Sequence, residues 1–112
     1  MRYALRENMI EINNSNFDKE AIEASKIKPV FVDFYAPWCG TCKLMEEVVK
    51  EAETEAGDKA IFGGVDIDAN PDLAEKYEVM SLPTFKAFKD GKIIATLSGA
   101  KSKDDLLKML EA

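Results

Sequence analysis

The run Val30-Phe31-Val32-Asp33-Phe34-Tyr35-Ala36 is apolar on both parities of a β-strand, broken only by one aspartate. A strand with one face in water alternates apolar and polar residues. A run without alternation predicts a central strand covered on both faces, hence a sheet between two helical layers. Helical spacing supplies the covers. A helix is predicted from about Gly40 to Ala56, with Met45, Val48, Val49, Ala52 and Ala56 on one stripe. The pairs Glu46/Lys50 and Lys43/Glu47 fall on its opposite face at i, i+4, and Gly57-Asp58 ends it.

The other elements follow from local signals. Met9 to Ile12 predicts a short edge strand, and Ser15 or Asn16 is expected to cap a helix carrying Phe17, Ala21, Ile22 and Ala24. Ala60 to Asp66 predicts a strand, and Asn70-Pro71 starts a short helix reaching Tyr77. Asp90-Gly91 lies between the apolar runs Thr84–Phe88 and Ile93–Leu97, a strong signal for an antiparallel hairpin. Ser102 with Asp105 three residues on opens a last helix bearing Leu106, Leu107 and Leu110. The order β-α-β-α-β-α-β-β-α predicts a three-layer α/β domain with a mixed central sheet and helices on both faces. Right-handed crossovers make its first three strands parallel, and the hairpin adds an antiparallel edge.

A chain of 112 residues is expected to be one domain, 1–112, able to bury a core without staples. Its net charge of −6 and lack of a basic run leave no footprint for nucleic acid. No apolar stretch approaches a membrane span, and Met1 to Asn16 lacks the pattern of a secretory signal. With only two cysteines, these features predict a cytoplasmic monomer. Histidine is absent, which removes the commonest general base and metal ligand.

The chemistry concentrates in Trp38-Cys39-Gly40-Thr41-Cys42-Lys43, which holds both cysteines. Residues i and i+3 of a helix have Cα atoms roughly 5 Å apart, within the range of about 4.4–6.8 Å that a disulfide accepts. The loop closed is so short that its entropic stabilisation is only roughly 2 kcal/mol, against nearly 5 for a 100-residue loop. The spacing therefore suits a reversible redox centre better than a clamp. Cys39 is placed at the helix N-terminus, after the carboxyl end of a central strand, where open α/β sheets put their sites. Unpaired N–H groups and the helix dipole there favour a thiolate. Cys42, one turn deeper, is expected to stay a thiol. On this reading Cys39 attacks a substrate disulfide and Cys42 resolves the mixed disulfide. Two inert helix cysteines are the plain alternative, and a zinc site would need donors the chain lacks.

Asp33 is the only charge in the apolar strand, and burial is expected to raise its pKa. Its functional reading is acceptor of the Cys42 proton, directly or through a water; the bland reading is a carboxyl satisfied by a neighbouring hydroxyl or backbone group. Trp38 reads either as a turn anchor or as one wall of an apolar docking surface. Pro83 stands at a strand start, and Gly99 either permits close backbone approach or is an ordinary turn glycine.

Five landmarks in order resemble the thioredoxin family: Val32–Lys43, Val65-Asp66-Ile67-Asp68-Ala69-Asn70-Pro71, Leu82-Pro83-Thr84-Phe85, Phe88-Lys89-Asp90-Gly91 and Leu97-Ser98-Gly99-Ala100. The resemblance implies the thioredoxin-like fold and a protein-disulfide reductase recharged by a thioredoxin reductase, with no bound cofactor beyond the Cys39–Cys42 disulfide. It implies that Pro83 is cis and packs against the disulfide. It also implies that the Leu82 backbone pairs with an extended client strand and that Trp38, Gly40, Thr41, Leu82, Pro83 and Gly99 bind client proteins. Thr41 stands where the family usually has proline, offering an N–H and a hydroxyl to the Cys39 sulfur. Glu47 stands where the family's helix carries a proline, so no kink is expected. Gly64 stands where a lysine often accompanies the buried aspartate. The rival readings are a disulfide oxidase or isomerase-like relative, because the changed dipeptide tunes the potential, and a non-catalytic binding subunit.

Overall fold

In the computed structural model, which describes residues 9–112, five strands form one sheet in the order β1-β3-β2-β4-β5. They are β1 (Ile10–Ile12), β2 (Val30–Tyr35), β3 (Ile61–Asp66), β4 (Thr84–Lys89) and β5 (Lys92–Ser98). β1 and β2 flank β3 in parallel, while β4 runs antiparallel to β2 and β5 antiparallel to β4. The helices are α1 (Gly40–Ala56), α2 (Pro71–Lys76) and α3 (Lys103–Met109), with a short helical segment between β1 and β2.

All six residues of β2 are buried, as its lack of alternation demands. Phe31 packs with Met45, Val49 and Ala52 of α1 and Leu106 of α3. Val30, Val32 and Phe34 pack on the other face with Ile12, Phe17, Ala21 and Leu73. Phe31, Phe34, Phe85 and Phe88 are fully enclosed, each contributing about 2–3 kcal/mol of transfer free energy relative to an exposed side chain. This two-sided core makes the domain three-layered. Gly63 belongs to it for a steric reason: a Cβ there would lie 2.5 Å from Ile12 Cδ1.

α1 runs unbroken past Glu47 and ends at Gly57, whose φ is +58°. Its expected i, i+4 ion pairs do not form. Among the described residues the pair that engages α1 joins Glu55 to Lys103 of α3 at 2.9 Å, because long exposed side chains gain little from local pairing in water. The final helix starts on the expected reciprocal cap: Ser102 Oγ accepts from the Asp105 N–H, and Asp105 Oδ2 accepts from the Ser102 N–H.

The first helical segment departs from expectation. Neither Ser15 nor Asn16 caps it, and it is wound as a π-helix over Asp18–Glu23 and a 3-10 turn over Ala24–Lys26. Asn13 Oδ1 instead accepts from the N–H groups of Ser15 and Asn16 and from the Ser15 hydroxyl. Asn16 Oδ1 turns back to the Asn13 N–H. Short polar side chains here satisfy a turn in preference to the helix end. The segment's exit is tied to the β4–β5 hairpin. Buried Ser25 accepts the Asp90 N–H on its carbonyl and the Gly91 N–H on its hydroxyl, at 2.9 and 2.8 Å. Asp90 and Gly91 both have positive φ, as the two-residue turn requires.

Candidate active site

The carboxyl end of β2 delivers the chain through Ala36-Pro37-Trp38 to Cys39, the N-cap of α1. Cys39 takes an extended conformation, and its sulfur accepts from the Cys42 N–H at 3.0 Å. A sulfur has replaced the usual hydroxyl or carboxylate at a helix start, so an anion on that atom sits among unsatisfied donors at the positive end of the dipole. The donor is the Cys42 N–H, at the third position of the helix, rather than a group of Thr41 at the second. Cys39 and Cys42 are joined as a disulfide with Cα atoms 5.2 Å apart. Both are buried, at 6% and 3% exposure, so the expected contrast in cover is slight.

Leu82 packs with Tyr35, Ala36, Cys39 and Cys42. The Leu82–Pro83 peptide is cis, and the buried Pro83 accepts the Gly99 N–H on its carbonyl at 2.9 Å. Gly99 has φ +84°, so its glycine is conformationally required. Gly40 has open space where a Cβ would stand. Above the disulfide lies a groove of about 430 Å³ lined by Trp38, Cys39, Gly40, Thr41, Ile67, Val79, Met80, Ser81 and Leu82. Of the residues singled out in the sequence, Trp38, Cys39, Gly40, Thr41 and Leu82 share this groove. Pro83, Gly99 and Cys42 lie outside its lining, and Asp33 lies in the sheet below.

Asp33 is 1% exposed, with Gly64 of β3 and Phe85 of β4 as its register neighbours. It shares with Phe31 the face that α1 covers. Gly64 therefore occupies the adjacent position where a lysine would stand. Lys86 does not substitute, because its register partner is Val32 and it projects to the opposite face. Burial lowers the pKa of Lys86, partly countered by the charge of Glu78. Its ammonium donates to Thr96 Oγ1 at 3.3 Å. Lys43 is exposed on α1.

Sequence reading missed Asp68, whose Oδ2 accepts from the Trp38 indole N–H at 2.8 Å and holds an otherwise 67% exposed ring. It also missed Ile67, Val79, Met80 and Ser81 as lining. These come from loops after β3 and before β4, where no periodicity marks a role.

This architecture, with a bonded cysteine pair capping the helix that follows a central strand, defines a thiol–disulfide exchange domain. The thioredoxin family model matches residues 8–112. The chain is 40% identical to the thioredoxin of Mycolicibacterium smegmatis over 90% of each chain. It is 37% identical to that of Bacillus subtilis, covering 91% of this chain and 94% of the relative. A bifunctional thioredoxin reductase/thioredoxin of Mycobacterium leprae is 36% identical over 90% of this chain and 22% of that larger protein. The chain belongs to the thioredoxin family and is a thioredoxin-type protein-disulfide reductase. Among the described residues no group of three or more histidine, cysteine, aspartate or glutamate side chains is placed to hold a metal ion, and no helix is long and apolar enough to cross a membrane.

Proposed function

We propose that Cys39 is the attacking sulfur and Cys42 the resolving one. The Cys39 thiolate attacks one sulfur of a client disulfide, forming a mixed disulfide and releasing the client's other sulfur as a thiolate. Cys42 loses its proton and attacks Cys39 Sγ. The Cys39–Cys42 bond forms and the second client thiolate departs. The client gains two electrons and the domain loses two, which leaves the bonded pair described above. The observation that carries the assignment is the place of Cys39 at the tip of α1, with its sulfur taking a helix N–H.

Asp33 is the acceptor for the Cys42 proton, through a water. A carboxyl buried on the α1 face favours its neutral form, so it takes a proton readily when a thiol beside the sheet is deprotonated. Trp38, Gly40, Thr41 and Leu82 receive the client, whose extended segment pairs with the Leu82 backbone held by cis-Pro83 and Gly99. Recharging requires a two-electron donor, and a thioredoxin reductase fills that role; the fused reductase and thioredoxin of M. leprae supports the pairing. The domain, 1–112, works as a monomer in the cytoplasm, where thiols are kept reduced, and carries no bound cofactor.

Single-cysteine variants test the roles. Cys42→Ser is expected to accumulate mixed disulfides with insulin through Cys39, visible on non-reducing gels, whereas Cys39→Ser is not. The opposite pattern reverses the assignment.

A further inference from the structure

Met80 is the most exposed large apolar residue described, at 92%, yet it stands in the groove beside Cys39. No lining residue of that groove is charged. Carboxylates adjoin its lining residues in sequence. Asp66 and Asp68 bracket Ile67, Glu78 precedes Val79, and the segment 66–78 carries five carboxylates, Asp66, Asp68, Asp72, Glu75 and Glu78, against one cation of its own, Lys76, while Lys86 of β4 lies within electrostatic reach of Glu78. Asp68 is fixed at the rim by the Trp38 indole. On the α1–α3 side, Lys43 follows Cys42, and Lys101 donates its N–H to Met45 Sδ of α1.

We propose, building on the client groove above, that Met80 and this acidic rim select the client. The preferred clients are extended segments with an apolar residue next to the attacked cysteine and a lysine or arginine within three positions of it. A flexible thioether adapts its shape to many apolar side chains, and its burial beneath a client removes apolar area from water on both partners. A basic flank meets the carboxylates of residues 66–78, whereas an acidic flank meets like charge and finds no cation in the groove.

Disulfide-linked fluorogenic peptides test this at low ionic strength, in four forms: leucine or serine beside the cysteine, and lysine or glutamate three residues away. For the parent protein, kcat/KM is expected to favour leucine over serine and lysine over glutamate by about fivefold each, with the charge preference shrinking as salt is added. Met80→Lys is expected to bring the charge preference below about twofold, and Met80→Ser to do the same for leucine over serine. Ile27→Lys adds the same charge before the amino end of β2, the end away from the site, and is expected to leave both ratios in place. Equal rates for all four peptides with the parent protein overturn the selectivity while leaving disulfide reduction standing. Ratios untouched by the Met80 variants overturn the role of Met80. Failure to reduce any of the peptides overturns the groove reading and this inference together.

Discussion

Replacing Gly63 with alanine asks β3 to hold a methyl group where Ile12 already is. The new Cβ would lie 2.5 Å from Ile12 Cδ1, 3.0 Å from its Cγ1 and 3.1 Å from the Ile10 carbonyl oxygen. Carbon atoms rest at about 3.5–4.0 Å, so Cδ1 has to retreat by roughly 1 Å. Ile12 is fully buried, and the strand that carries it is three residues long, paired among the described residues only to β3. Two effects compete. Removing glycine's extra freedom in the unfolded chain favours the variant by about 0.4–1 kcal/mol. Overpacking a full core costs about 1–3 kcal/mol. The second wins, and the net loss is about 1 kcal/mol, which lowers Tm by roughly 4–8 °C for a domain of this order of size. Thermal unfolding of the oxidised protein, followed by far-UV circular dichroism, measures it. Ile12→Val removes Cδ1 and alone costs about 0.5–1.5 kcal/mol. In that background Gly63→Ala is expected to lose most of its effect, a coupling of about 1 kcal/mol. A Tm at or above the parent's for Gly63→Ala, or strict additivity of the two changes, refutes the reasoning.

Two further outcomes are expected. Asp33→Asn removes a carboxyl from the sealed interior; it should raise the denaturation midpoint of the oxidised protein and slow release of product from the mixed disulfide in stopped-flow traces, and parent values for both would end its assignment as proton acceptor. Lys86→Met should stabilise the domain by less than about 1 kcal/mol near neutral pH, since it replaces a buried stem carrying a part-buried ammonium, whose penalty solvent still screens, with an apolar chain of similar length. The pKa of Lys86 is lowered on folding, so below its folded value both states carry the proton and the penalty is complete. As pH rises through that value toward 10.5 the native lysine sheds its proton first, and the advantage of the variant should shrink. An advantage that instead grows with pH, in urea titrations across that range, contradicts the sign.

The elements that could be read from the residues are those where a physical demand leaves a one-dimensional trace. β2 shows it as apolar residues on both parities, and α1 as a stripe ending at Gly57. The turn at Asp90-Gly91 shows it as the residue types that tolerate positive φ, and the last helix as Ser102 with Asp105. The winding of residues 18–26 left none, because it depends on Asn13 and Asn16 bonding to each other and on Ser25 being held by the hairpin. The same division holds at the site. Cys39, Cys42 and Asp33 stand out as reactive or charged groups in places that need a reason. Asp68, Met80 and Lys86 do not, since the first two lie on loops and the last is one lysine among many. Only register and sheet order separate Lys86 from the face that holds Asp33.

Ser25 leaves a practical legacy. By gripping both amides of the tight turn it makes a latch at the pole of β4 opposite Pro83, so one end of that strand guards architecture and the other serves electron exchange. A peptide tag or dye grafted into residues 90–91 would spring the latch without touching sulfur, which offers a way to loosen the scaffold while watching turnover on its own.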